Sequence, residues 1–275
     1  LTKEFGGQMA WIADIENYSG FSLINGAELT SKFKEHLQSI KEDLELKEGT
    51  EVVNVEKTAD GFAVYDKTGQ QYSTRAVIIA SGKNPRHLDV PGEDKFFGHG
   101  VAVCATCDAP LYKGRDVAVV GGGNSAMDAL LALSRVANKI YSINMNPQLI
   151  GDEILKTKIT SSPNISFYNN AKTLEILGEQ FVTGIKIKKG DAPEEILPVN
   201  GIFVEIGYVP SNAFDHLTEK NQHGEIKVDQ NLQTNIPGLF AAGDINDAWG
   251  EQIVIAAGEG SKAALAAADY LNKLK

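Results

Sequence analysis

Apolar residues recur at Leu29, Phe33, Leu37, Ile40 and Leu44, a stripe on one face of a helix predicted over 27–48. The pattern then shortens. Segments 51–57, 62–65 and 71–73, separated by Asp60-Gly61 and Thr68-Gly69, predict a three-stranded antiparallel meander. Residues 76–80 are wholly apolar and run into Ser81-Gly82, the mark of a strand buried on both faces. Residues 117–120 form a second such run. It leads through three glycines into a helix predicted to about Val136, and 140–143 returns as a strand, completing one βαβ unit. Further strands are predicted at 165–168, 173–177, 182–188, 202–206 and 238–242, with a last helix over 253–274.

A repeat organises these elements. Residues 77–85 and 202–210 share one pattern, an apolar strand followed by Gly82-x-x-Pro85 in one and Gly207-x-x-Pro210 in the other. Each follows a predicted meander, so the chain reads as two copies of one nucleotide-binding domain. The expected fold class is α/β, with two Rossmann-like domains of three-layer ββα type, one inserted in the other. Gly121 opens the glycine loop of the second copy, and the equivalent position of the first copy falls before Leu1. The expectation is an N-terminally shortened form of a longer protein.

Composition narrows the function classes. Hydrophobic residues at 43% and charged residues at 23% describe a globular chain, not a disordered one. A net charge of −10 speaks against nucleic acid, whose binders carry basic patches. No apolar run reaches the length of a membrane helix, and no basic start followed by an apolar core marks a signal peptide.

Two motifs carry chemistry. Gly121-Gly122-Gly123-Asn124-Ser125-Ala126 places Gly121, Gly123 and Ala126 at the key positions of G-x-G-x-x-G/A. The first glycine allows the tight turn, the second lets backbone amides approach a pyrophosphate, and the small third residue lets helix and strand pack. At the end of the second strand, where an acid binds a ribose 2′-hydroxyl and arginines bind a 2′-phosphate, the chain offers Asn144 and neighbours without Arg or Lys. This tilts the cofactor toward NADH over NADPH. The second motif, Cys104-Ala105-Thr106-Cys107-Asp108, contains both cysteines of the chain. C-x-x-C lowers thiol pKa and permits a reversible disulfide. Two inert buried thiols are an alternative; zinc is not, because four ligands are not at hand, and no metal site is expected. Asp108 either handles a proton for the thiols or caps a helix. Gly243-Asp244 ends a strand where a carboxylate suits a polyol hydroxyl, and Gln252-Ile253 opens a helix whose dipole can stabilise a reduced flavin ring.

These motifs, in this order, together with Gly6-Gly7-Gln8 and Glu16-Asn17-Tyr18, resemble the low-molecular-weight thioredoxin reductase family; 200–274 is similar to the flavoprotein subunit of alkyl hydroperoxide reductase. The resemblance implies an FAD domain over 1–101 and 235–275 and a pyridine-nucleotide domain over 102–234 carrying the disulfide. It implies FAD and NADPH or NADH as cofactors, with domains that rotate against each other. Cys107 then faces the flavin, Cys104 attacks the partner's disulfide, and Asp108 is the general acid. Cofactor positions would be Gly7, Gln8, Asn17, Val53, Ala80, Ser81, Gly82, Gly243, Asp244, Gln252 and Ile253 for flavin, and Gly121, Gly123, Asn124, Ser125, Ala126, Asn144, Ile206 and Gly207 for nicotinamide. The implied partner is thioredoxin, a thioredoxin-like protein or a peroxiredoxin, and the implied form a cytoplasmic homodimer.

The sequence departs from the family pattern in four ways. The first glycine loop is absent, the basic 2′-phosphate cluster is absent, Ala109-Pro110 follows the acid where glycine is usual, and Glu251 precedes Gln252 in place of a basic residue. Turned inward, Glu251 would disfavour an anionic flavin. Two other functions compete with thioredoxin reduction: an NADH-dependent peroxiredoxin-reductase component, and a flavin-free NAD-binding module with a redox-sensitive dithiol.

Overall fold

The computed structural model describes residues 1–12 and 15–274, without the side chains of Trp11, Thr106 and Cys107. In chain order, α1 (Gly26–Ser39) precedes β1 (Val52–Thr58), β2 (Gly61–Asp66), β3 (Gln71–Thr74) and β4 (Val77–Ile79). The connecting strand β5 (Lys83–Pro85) leads to α2 (Glu93–Phe96), β6 (Val101–Ala102), α3 (Ala105–Asp108), β7 (Asp116–Val120), α4 (Asn124–Ser134), β8 (Lys139–Asn144) and α5 (Glu153–Thr160). Strands β9 (Ile165–Asn169), β10 (Ala171–Gly178), β11 (Val182–Lys189), β12 (Glu194–Pro198) and β13 (Gly201–Val204) follow. The connecting strand β14 (Tyr208–Pro210) leads to β15 (Leu239–Ala241) and α6 (Ile253–Lys273).

The chain forms two compact units, 1–84 with 209–275, and 85–208. The divisions differ from the expected 101/102 and 234/235 for a packing reason. Val101 and Ala102 pair with Ile202 and Phe203 inside the second unit's sheet. Phe214, Leu217, Ile226 and Val228 pack in the first unit's core.

In the second unit, five parallel strands lie in the order β6-β13-β7-β8-β9. Alternation along β7 splits its side chains between two cores. Val117 and Val119 pack with Met127, Leu130 and Leu133 of α4. Ala118 and Val120 pack with Ile176, Ile185 and Leu197 of the antiparallel meander β10-β11-β12. Meander, parallel sheet and helices are the three ββα layers. The first unit repeats the plan with fewer strands. Its parallel pair β15-β4 sends Ile79, Leu239 and Ala241 toward the meander β1-β2-β3, where Val55, Phe62 and Val64 wait. Phe240 and Ala242 face Ala263, Ala267 and Tyr270 of α6.

Three sequence expectations shift. The first helix ends at Ser39, before the predicted 48; Ile40 and Leu44 of its stripe are exposed, so burial does not hold the helix beyond that point. Strand β4 is not buried on both faces, since Ile78 is 38% exposed. Ala109-Pro110 opens a 3₁₀ turn, Ala109–Tyr112, with the proline at its start, directly after α3.

Candidate functional site

Parallel strands place their C-terminal ends on one edge of the sheet, where ligands bind at the point of strand-order reversal. In the second unit that edge gathers three segments. Cys104 follows β6, Glu205 follows β13, and Gly121 follows β7, so Glu205 stands on the strand between the cysteine turn and the glycine loop.

The glycine loop is built tightly on one side and open on the other. Gly121 lies at φ 146°, and a Cβ there would come within 2.0 Å of the Glu205 carbonyl oxygen. Ala126, fully buried, sits beneath it. Gly123 has nothing within 4 Å of its Cβ position and precedes the first turn of α4, which has neither a side-chain cap nor an acidic residue. An open glycine beneath an uncapped helix start is the cradle a pyrophosphate needs, and the residues fit a dinucleotide. Ser125 is exposed beside it. The Asn124 side chain accepts a bond from the Asp152 amide at 3.0 Å, and the Ile150 amide bonds the Gly122 carbonyl at 2.7 Å. The loop after β8 is thereby fastened to the glycine loop. Asn144 serves the same clamp: it is 2% exposed, donates to the Gln148 carbonyl and accepts from the Asn146 amide. Its side-chain amide both donates and accepts within its own loop. Met145 and Asn146 beside it are exposed. Ile206 and Gly207 leave the end of β13, Gly207 at φ 92°.

Cys104 is disulfide-bonded and half-buried. The side chain of Cys107, its expected partner, lies outside the described atoms. The Asp108 amide bonds the Cys104 carbonyl at 3.2 Å, and burial raises the Asp108 carboxyl above its ordinary pKa. Glu205 is the residue that sequence reading missed. Its side chain accepts from the Ala105 amide, and burial, with Asp128 adding repulsion, pushes its carboxyl up to about 7. Its only sequence signal is an acid at the end of an otherwise apolar strand.

In the first unit, a cluster of Ile15, Ile24 and Leu29 with Met9, Tyr18, Phe33 and Ile253 holds the N-terminal segment against the start of α6. Asn17 therefore reaches Gln252, donating to its side-chain oxygen at 2.7 Å. Gln8 donates to the Lys83 carbonyl, and Ser81 to the Ser211 carbonyl at 2.7 Å. Lys83, its side chain 9% exposed, lies 2.6 Å from Glu225 and 2.5 Å from Glu251. Burial works against the Lys83 charge, but its hydrogen bonds to both acids, with their charges, outweigh it and raise the pKa. Glu251, which the sequence left either turned inward or facing solvent, is paired with Lys83 and more than half exposed. Asp244 beside this network is raised above its ordinary value, first by burial and then by Glu251, with Lys83 opposing. Gly243, at φ 77°, donates its amide to Glu259, which also takes a bond from Asn246. Helix α6 starts at Ile253 without a side-chain cap or an acid in its first turn. A carboxylate for hydroxyls and uncapped amides for a ring carbonyl form a donor set that fits the ribityl and ring end of a flavin. Gly7 and Gly82 adopt left-handed backbone at φ 51° and 63°, and Ala80 is exposed. Val53 stands apart, 45% exposed at the irregular register of edge strand β1.

Among the described residues no group of acids, histidines and cysteines could hold a metal, and no helix is long and apolar enough to cross a membrane.

Comparison with known proteins agrees with this geometry. Residues 5–260 match the family described as pyridine nucleotide-disulphide oxidoreductase. A subunit of the alkyl hydroperoxide reductase of Staphylococcus aureus is 38% identical over 273 residues, 98% of this chain and 54% of that protein. The chain thus spans about half the length of the curated relatives it matches. Among solved structures, the thioredoxin reductase of T. acidophilum is 34% identical with a TM-score of 0.80, over 98% of this chain and 88% of the other. That of Lactococcus lactis is 30% identical with a TM-score of 0.85, over 98% and 89%.

Proposed function

Because the chain belongs to the pyridine nucleotide-disulphide oxidoreductase family, enzymes that use FAD and NAD(P)H, we propose that it passes electrons from a reduced nicotinamide to the disulfide at Cys104 and on to a protein disulfide. The observation that carries this reading is the shared sheet edge: the disulfide turn and an open glycine loop flank a single strand of one unit. In this reading the second unit holds the nicotinamide dinucleotide and the first holds FAD. FAD, when bound, relays the electron pair between nicotinamide and disulfide. Reduction breaks the S–S bond and makes two thiols, taking up two electrons and two protons. Asp108, raised toward the neutral form by burial, can hold a proton next to Cys107. Cys104, as the outward thiolate, attacks the partner disulfide and forms a mixed disulfide; Cys107 then attacks the Cys104 sulfur, re-forming the disulfide between them and releasing the partner as a dithiol.

Two partner classes follow from the relatives. Thioredoxin-like partners are supported by the structural neighbours, and a peroxiredoxin-type system by the 38% identity to the alkyl hydroperoxide reductase protein. The lack of a basic side chain at Met145 to Gln148 favours NADH. The test is Cys104→Ser. Reduction of thioredoxin or peroxiredoxin should fall to the uncatalysed background while electron transfer from NADH to a dye persists. Surviving partner reduction would remove the dithiol from the mechanism.

A further inference from the structure

The carboxyl of Glu205 ends β13, between the two functional loops, and its oxygen accepts the amide of Ala105, the residue bonded to Cys104. Its backbone is fixed as well. The Glu205 amide bonds the Val120 carbonyl at 2.8 Å, and its carbonyl abuts Gly121. An acid placed here acts on the cysteine turn in two ways. It anchors the turn's first amide, and it puts a negative charge beside the position where the Cys104 thiolate forms.

We propose that Glu205 is a positioning residue of the dithiol, and that its proton and the Cys104 thiolate are coupled: each charge disfavours the other. This deepens the reading of Cys104 as a working thiol and rests on it. The surrounding groups leave the coupling uncompensated. Asp128 faces it from α4, Tyr208 lies three residues on and is itself raised by burial and by Glu205, and Asp108 closes α3. All are acids or a phenol, and no ion pair at Glu205 is found among the described residues. Burial already carries the Glu205 carboxyl to about 7, so it changes charge in the pH range where a thiol of this kind becomes nucleophilic. Below that point the acid is neutral and adds no charge against the Cys104 thiolate. Above it, the carboxylate holds the thiolate back. On reduction, therefore, a thiolate formed at Cys104 draws a proton onto Glu205.

The test uses the reduced full chain and no cofactor or partner. Iodoacetamide alkylation of Cys104 is followed by peptide mass spectrometry from pH 5.5 to 9, in wild type and Glu205→Gln. Glutamine keeps an oxygen for the Ala105 amide and removes the charge. The two rates should coincide at pH 6, and the variant should react several-fold, and at most about tenfold, faster at pH 8 if the coupling is near one pKa unit. A purely structural role would change the rate by the same factor at every pH. Such a constant ratio, or superimposed profiles, would overturn the proposal. If Glu205→Gln does not fold, carbon-13 NMR of labelled wild-type glutamate carboxyls decides. The Glu205 midpoint should rise when the disulfide is reduced, and an unchanged midpoint contradicts the coupling. Neither readout depends on partner reduction, so this proposal and the reductase reading can fail separately.

Discussion

The two units repeat one plan, and the strands that correspond show what each unit does with it. In the second, β13 lies between β6 and β7, and Phe203 at its middle is fully buried against Tyr112, the rings meeting edge to face at 5.2 Å. In the first, β4 pairs with β15 alone among the described strands, and Ile78, the repeat counterpart of Phe203, is 38% exposed. The difference continues at the strand ends, where chemistry is placed. The residue after β13 is the half-buried acid Glu205, whereas its counterpart, Ala80, is exposed and carries no functional group. The charged machinery of the first unit lies instead in Lys83, Glu225, Glu251 and Asp244. One shared layout thus supports two different arrangements at the strand ends. One is built on a complete parallel sheet with an open glycine loop, the other on a helix start and an ion-pair network.

Core substitutions at the corresponding positions test that contrast most strongly. Phe203→Ala should cost about 3–5 kcal/mol in chemical denaturation, as a buried aromatic removed from a filled core does. Ile78→Ala should cost about 1 kcal/mol or less, because a partly exposed side chain loses less buried area. Equal losses would erase the distinction between the strands. The glycine loop gives the next largest effect, on binding and not on stability. Gly123 has ordinary backbone angles, φ −93° and ψ −171°, and open space at its Cβ. Gly123→Val should leave the melting curve within about 0.5 kcal/mol of wild type. Its side chain would occupy the pyrophosphate approach and weaken NADH binding tenfold or more by calorimetry, about 1.4 kcal/mol. Unchanged affinity would move the nucleotide away from this loop.

Much of this was legible in the chain, and the misses have physical causes. Alternation and apolar runs located the meanders and parallel strands, because a period of two and a buried run are direct consequences of burial. The paired Gly82-x-x-Pro85 and Gly207-x-x-Pro210 held the unit boundaries as well: the units part after Asn84 and after Tyr208, inside those motifs. The bounds implied by the family resemblance, 101/102 and 234/235, group residues by the function they serve and not by which residues pack together. The stripe from Leu29 to Leu44 announced a helix but not its end, since periodicity does not reveal where a packing partner stops. The Lys83 pairs with Glu225 and Glu251 bridge 142 and 168 residues of chain, so composition around Lys83 carried no trace of them. The bonds of Asn144 to Gln148 and Asn146 arise only once the loop folds back, so the linear sequence carried no trace of them. Glu205 was hidden by the repeat itself, which aligned it with a featureless alanine.

The central claim is that the disulfide at Cys104 takes its electrons from a nicotinamide held by this chain. Free thiols counted after anaerobic addition of excess NADH to the purified protein, with FAD supplied, test it most directly. The account predicts a rise from none to two thiols per chain, the full complement of cysteines. Bound NADH with no thiol released would contradict it.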